Sequence, residues 1–237
     1  MADSVLITGA NRGIGLALVR EYVRRGWDVY ASCRQPDEAK DLNAIASEHP
    51  DSVEVFRLDV TRPESAAAAS QYVWSKTEAL DLLINNAGIF AGPSAETKLN
   101  ELELEDCCEA FRTNVLGVGR VTRAMLPLLQ KAGTSKIVNI TSGIAVISAK
   151  TRPGYYAYGT SKAALNYFSR AMAAEIRGTG PILALISPGW VKTDMGGSEA
   201  ELTPEQSARG IAETIDKLTA DDNGCWFNWD GRPQEAW

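Results

Sequence analysis

Thr8-Gly9-Ala10-Asn11-Arg12-Gly13-Ile14-Gly15 follows directly on the apolar run Val5-Leu6-Ile7. A short apolar run placed against the start of a helical pattern reads as a buried strand feeding a helix. A strand that turns through three glycines into a helix brings bare backbone N–H groups to the helix N-terminus. Such a turn cradles the pyrophosphate of a dinucleotide. Gly9 permits the tight turn, Gly13 the close approach of a phosphate, and Gly15 the packing of the helix against the first strand. The spacing is G-x-x-x-G-x-G, not the commoner G-x-G-x-x-G. Structural turns can produce the same letters, so the rest of the chain has to supply the chemistry.

Working outward, apolar strand-like runs alternate with helical patterns along the whole chain. Residues 5–7, 29–32, 53–58, 82–84, 137–140, 182–186 and 225–228 are short and aliphatic or β-branched. They lack clean period-two alternation, as strands buried on both faces do. Helical patterns occupy 14–25, 37–48, 63–77, 104–131, 155–177 and 203–218. Strand, helix and strand in this order predict parallel strands joined by right-handed crossovers. The expected architecture is a single-domain, doubly wound α/β Rossmann fold over residues 1–237, with a seven-stranded, mainly parallel sheet flanked by helices. No internal repeat or Gly/Ser/Pro-rich linker divides it. Pro63 and Pro204 fall at helix starts, where the missing N–H costs nothing. Thr203 is a credible N-cap, with Glu205 and Gln206 in the first turn behind it.

Composition narrows the function classes. The chain has 237 residues, of which 45% are apolar, enough to bury roughly 70% of the unfolded surface in one core. Net charge is −6 and no long basic run occurs, which argues against nucleic acid or an anionic membrane as partner. No run of 18 apolar residues exists, so no membrane span is expected. The first strand begins by Ser4, leaving no room for a signal peptide. Cys33, Cys107, Cys108 and Cys225 have no C-x-x-C spacing and read as free thiols in a reducing, cytoplasmic setting. The lone histidine, His49, lies beside Pro50 in a turn, and a Ser-His-Asp triad or a histidine metal site would have to hang on it alone.

The second strand bears on the choice of dinucleotide. NAD-preferring folds place an acid at its end to bond the adenosine ribose. Here it ends Ala31-Ser32-Cys33-Arg34, and Asp37 lies past the strand. Arg12 and Arg34 together suit a 2′-phosphate, because the guanidinium fork pairs with phosphate oxygens. The competing reading is two solvated surface arginines; NADP(H) is the expected cofactor. Asp59-Val60 closes the third strand, where the carboxylate either holds the adenine amino group or caps the helix after Pro63. Asn85-Asn86-Ala87-Gly88 closes the fourth, and its small residues let backbone approach the adenine ribose.

Tyr158 and Lys162 are four apart in a helical segment and share one face. The pair alone carries little weight. Its neighbours add more: Thr141-Ser142 closes the fifth strand and Pro188-Gly189 the sixth, both on the edge that carries the glycine loop. Asn114 lies mid-helix, where asparagine is a poor former, which points to a hydrogen-bonding role.

Taken in order, the T-G-x-x-x-G-x-G loop, the N-N-A-G run, Asn114, Ser142, Tyr158-x-x-x-Lys162 and the Pro188-Gly189 turn resemble the short-chain dehydrogenase/reductase family over nearly the whole chain. Residues 188–195 and 227–231 resemble its C-factor-like branch, related to small carbonyl reductases. One departure is the step of 16 from Ser142 to Tyr158, longer than the usual 13; residues near 150–154 lengthen a loop beside the substrate.

The resemblance implies hydride transfer between NADPH and a ketone or aldehyde, or the reverse with an alcohol. Tyr158 would donate and recover the proton, its phenol acidified by the Lys162 ammonium, which also bonds the nicotinamide ribose. Ser142 would orient the carbonyl oxygen, and Asn114 would hold a water linking Lys162 to solvent. The resemblance carries cofactor roles to Gly9, Asn11, Arg12, Gly13, Ile14 and Gly15, to Arg34, Asp59 and Val60, and to Asn86, Ala87 and Gly88. It extends them to Pro188, Gly189, Val191 and Thr193, with Thr193 on the carboxamide. No metal is required, since the cofactor carries the redox chemistry. A dimer or tetramer through the helices at 104–131 and 155–177 is implied as well.

Phe90, Ile144 and Trp190 follow three ligand-edge motifs and line an apolar pocket or belong to the core. Tyr155 and Tyr156 have no lysine four residues on and pack or border the substrate. The alternative function is a nucleotide-bound sensor or signalling protein of the same fold without turnover. A sugar-nucleotide epimerase would need an additional C-terminal substrate region.

Overall fold

Seven parallel strands form one sheet in the order β3-β2-β1-β4-β5-β6-β7. They are β1 (Ser4–Thr8), β2 (Asp28–Cys33), β3 (Val53–Arg57), β4 (Leu82–Asn85), β5 (Lys136–Ile140), β6 (Ile182–Ser187) and β7 (Trp226–Asn228). The coordinates are those of a computed structural model and describe residues 2–92 and 96–237. Helices α1 (Gly13–Arg24), α2 (Lys40–Glu48) and α7 (Pro204–Lys217) cover one face of the sheet. Helices α3 (Pro63–Trp74), α5 (Val118–Lys131) and α6 (Tyr156–Ile176) pack on the other, and α4 (Leu104–Phe111) rests against α6.

The two-faced burial explains the missing alternation in the sequence. Val5 and Ile7 join the core under α1 and α7, while Leu6 between them joins the core under α3 and α5. Every position of such a strand must be apolar. β1 pairs with both β2 and β4, so the chain reverses its direction of travel along the sheet there. In a doubly wound sheet the crevice at that switch point, outside the carboxyl ends of the strands, is the ligand position.

Two helical expectations are corrected. The pattern at 104–131 is not one helix: six residues, Arg112–Gly117, are wound as a π-helix between α4 and α5. The wider turn accommodates Asn114, whose side chain bonds inward, and Gly117, where a Cβ would come within 2.8 Å of Val60 Cγ2. The pattern at 37–48 begins as a 3₁₀ turn, Pro36–Glu38, before α2. There the Asn43 amide donates to the Pro36 carbonyl at 2.8 Å and closes the turn. Thr203 and Gln206 cap α7 reciprocally, as their spacing predicts. No helix among the described residues is long and apolar enough to cross a membrane.

Candidate active site

The glycine loop is joined to the exit of β4. Thr8 Oγ1 accepts hydrogen bonds from the Asn86 and Ala87 N–H groups, each at 3.0 Å. In return the Asn86 side-chain amide donates to the carbonyls of Thr8 at 2.9 Å and Gly9 at 3.1 Å. Gly9 has φ +65°, and a Cβ on it would stand 2.9 Å from Ala87 Cα. A Cβ on Gly15 would stand 2.2 Å from the Gly9 carbonyl oxygen, so it is the loop itself, more than the first strand, that demands this glycine.

These loops wall a cleft of about 680 Å³. Every residue with an expected cofactor role lines it, as do Ser142, Tyr158 and Lys162. Phe90, Ile144 and Trp190 also line it, which decides their place in favour of the cleft. Leu58, Cys33, Glu109 and Arg112 join the lining without any motif to announce them.

Arg12 and Arg34 differ in their engagement. Arg12 is ion-paired with Asp194 at 2.6 Å, between two exposed side chains. Arg34 lies near Asp59, whose carboxyl it helps to hold low. Burial by itself raises the Asp59 carboxyl, but bonds from the Thr61 hydroxyl and N–H, with Arg34 and Arg62 nearby, bring it below the ordinary value. Its Oδ1 accepts from Thr61 N at 2.9 Å and Thr61 Oγ1 at 2.6 Å. The Asp59 side chain holds the turn ahead of α3 without capping that helix, and it also lines the cleft.

Asn114 stands behind the cleft wall, fully buried. Its Oδ1 accepts from the Ile89 N–H, and its Nδ2 donates to the Ile89 carbonyl and to Ser161 Oγ, each at 2.9 Å. The side chain clamps one residue of the β4 exit against α6. A Cβ on Gly88 would lie 3.2 Å from Asn114 Oδ1 and 3.7 Å from Lys162 Nζ.

Tyr158 and Lys162 occupy successive turns at the start of α6. Lys162 is 5% exposed and its ammonium donates to the Ile140 carbonyl at 2.8 Å. Its Nζ lies 5.8 Å from the centre of the Tyr158 ring. Ser142, two residues past β5, lies beside the Tyr158 phenol and accepts from Ile144 N at 3.3 Å. Burial raises the phenol above its ordinary value, against the opposing effect of Ser142. Burial likewise pulls Lys162 down to about 8. The family resemblance implies a phenol acidified by the ammonium; in the polypeptide by itself, burial raises it instead.

The cleft fits a nicotinamide dinucleotide. Glycines without room for a Cβ line its phosphate end, where no side chain caps α1. At the other end is a buried ammonium with three donors, whose hydrogen bond among the described residues is the one to Ile140. Hydroxyls of a sugar are suited to the remaining two.

Aromatic rings gather beside the phenol. Phe90 is stacked on Tyr158, with centroids 5.4 Å apart and planes at 24°, and meets Tyr155 edge-on at 6.0 Å. Tyr155 precedes α6 with φ 57°, a left-handed conformation uncommon for a bulky residue.

Known proteins resemble the chain in sequence and fold. A family model for short chain dehydrogenase matches residues 3–203. An uncharacterized oxidoreductase of Schizosaccharomyces pombe is 37% identical over 247 residues, covering 95% of this chain and 94% of its own length. The C-signal protein of Myxococcus xanthus is 40% identical over 155 residues, which is 65% of this chain and 92% of that one. NADPH-bound carbonyl reductase from chicken fatty liver has the same fold with a TM-score of 0.92 at 36% identity, over 100% of this chain and 99% of that one. A glycine loop welded to the β4 exit, a serine, tyrosine and lysine on the facing wall, and relatives matching nearly end to end have one reading: the chain belongs to the short-chain dehydrogenase family of oxidoreductases.

Proposed function

We propose that the protein is an NADP(H)-dependent carbonyl reductase, acting on ketones or aldehydes and, in reverse, on the corresponding alcohols. The observation that carries this reading is the placement of Ser142, Tyr158 and Lys162 on one wall of the cleft that the glycine loop enters. When bound, the nicotinamide supplies the hydride. Tyr158 gives its phenol proton to the carbonyl oxygen in reduction and takes it back in oxidation. Ser142, beside that phenol, shares the developing charge on the same oxygen.

Lys162 stays mostly protonated at neutral pH, even with its pKa lowered to about 8. An ammonium ~5 Å from a phenolate is worth roughly 3 kcal/mol at an effective dielectric of ~20. That attraction grows as the phenolate forms and offsets the cost of burying it. Asn114 keeps the β4 exit in register with α6 and, in this reading, also holds the water that relays the proton of Lys162.

Arg12 and Arg34 at the adenosine end support the 2′-phosphate of NADP(H), as does the NADPH held by the chicken reductase. Phe90, Ile144 and Trp190 support an apolar carbonyl substrate. Leu104, Phe111 and Leu116, together with Tyr167 on α6, are exposed, which supports a dimer or tetramer built on these helices. Free thiols at all four cysteines support a cytoplasmic setting. A nucleotide-bound sensor would need no acid–base phenol, and the placement of Ser142, Tyr158 and Lys162 together in the cleft favours turnover over that reading.

The test is consumption of NADPH and NADH by the purified protein with a panel of apolar ketones and aldehydes. The reading expects turnover with NADPH and at least about tenfold lower kcat/KM with NADH. No turnover with any carbonyl, with nucleotide still bound, would favour the sensor.

A further inference from the structure

The residue in the best position to govern Tyr158 without transferring a proton is Phe90. It sits one residue past Ile89, which Asn114 grips at both its N–H and its carbonyl at 2.9 Å. A residue held at both peptide groups has little freedom, so the direction in which the chain presents the next side chain is fixed. That side chain is a ring stacked on the Tyr158 ring at 5.4 Å and 24°.

The stack is braced from outside. Tyr155 meets Phe90 nearly at right angles, at 75° and 6.0 Å, an arrangement that suits ring quadrupoles. Tyr155 keeps its left-handed φ of 57° after Gly154 at φ 87°, and Lys150 Nζ lies 5.3 Å from its ring centre. A backbone conformation this uncommon persists only where its surroundings over-determine it. The lengthened loop between Ser142 and Tyr158 therefore ends in a ring that presses Phe90 toward the phenol.

We propose that Phe90 is a positioning residue, whose ring fixes the plane of the Tyr158 phenol and keeps water from it. The proposal rests on the acid–base role of Tyr158. It adds a route by which Asn114 reaches the phenol, through Ile89 and Phe90, in addition to its contact with Ser161. The ring makes no bond and moves no proton. It removes solvent that would otherwise stabilise the phenolate, and it limits rotation of the ring that carries the hydroxyl.

Phe90→Leu and Phe90→Tyr in the full-length protein test this, with kcat followed against pH, NADPH binding, and ultraviolet titration of the Tyr158 phenol. The titration is read as the difference between each protein and its Tyr158→Phe counterpart. Phe90→Leu should lower kcat about tenfold while NADPH affinity stays within about twofold. Water readmitted to the phenol lowers its pKa, so the alkaline limb of kcat for reduction, which needs the protonated phenol, should move to lower pH. Phe90→Tyr, which restores a stacked ring, should recover most of the loss. An unchanged kcat and pH profile in Phe90→Leu, or a change confined to KM for the ketone, would overturn the proposal. If Phe90→Leu fails to fold, Phe90→Met takes its place with the same readouts. Should the wild type show no turnover at all, the function falls, while the phenol titration still decides whether Phe90 sets its acidity.

Discussion

Arg12 and Asp194 are ion-paired at 2.6 Å, joining the glycine loop to the segment that follows β6. Beside them, Thr193 Cγ2 would lie 3.2 Å from a Cβ on Gly13, so the segment rests on the loop itself. Both charges are exposed, and such pairs contribute about 0–1 kcal/mol. A phosphate dianion, with more charge and more acceptor oxygens, competes well for the same guanidinium. Asp194→Asn should therefore tighten NADPH binding about threefold and Arg12→Gln weaken it about tenfold, the latter ~1.4 kcal/mol. NADH, which lacks the phosphate, should respond far less to either change. Fluorescence titration with the two reduced nucleotides checks this.

Asn114 makes three hydrogen bonds from a fully buried position. Asn114→Leu leaves the Ile89 N–H and carbonyl without that partner, and a polar group left unsatisfied on burial costs about 1–3 kcal/mol. The variant should melt at a lower temperature than the wild type and lose at least about tenfold in kcat, with a smaller effect on NADPH affinity. Calorimetry paired with steady-state kinetics separates the two effects.

Lys162 has its pKa lowered from 10.5 to about 8, chiefly by burial. Between these values the folded protein has shed a proton that the unfolded chain still holds. Stability from this group therefore rises with pH from about 8 to 10.5, and below that window the buried charge exacts its full cost, roughly 3 kcal/mol. Lys162→Met should melt above the wild type at pH ~7, with the gap narrowing toward pH ~10, while losing turnover. A variant that melts below the wild type at neutral pH would show that the ammonium is stabilised where it lies.

Much of this was readable beforehand, for physical reasons that differ by residue. Gly9, Gly13 and Gly15 announce themselves because only glycine fits where a Cβ would meet backbone or a neighbouring side chain. Tyr158 and Lys162 share a helix face by periodicity alone. The sheet is legible because strands covered on both faces must be apolar throughout. Asn114 was visible as a poor helix former, but the π-helical turn around it was not, since that turn depends on Ile89 and Ser161, far away in sequence. Asp194 and the stacking of Phe90 on Tyr158 were hidden for the same reason: each depends on a partner brought close only by the folded sheet. The shifted acidities of Tyr158 and Lys162 follow from dehydration, which spacing along a helix does not encode.

The central claim is that one phenol carries the proton. Tyr158→Phe keeps the ring that stacks on Phe90 and removes only the hydroxyl. Measured with NADPH and the best ketone, kcat should fall by about a thousandfold or more while NADPH affinity stays within about threefold of the wild type. A variant that turns over within about tenfold of the wild type would contradict the account, because another group would then be delivering the proton.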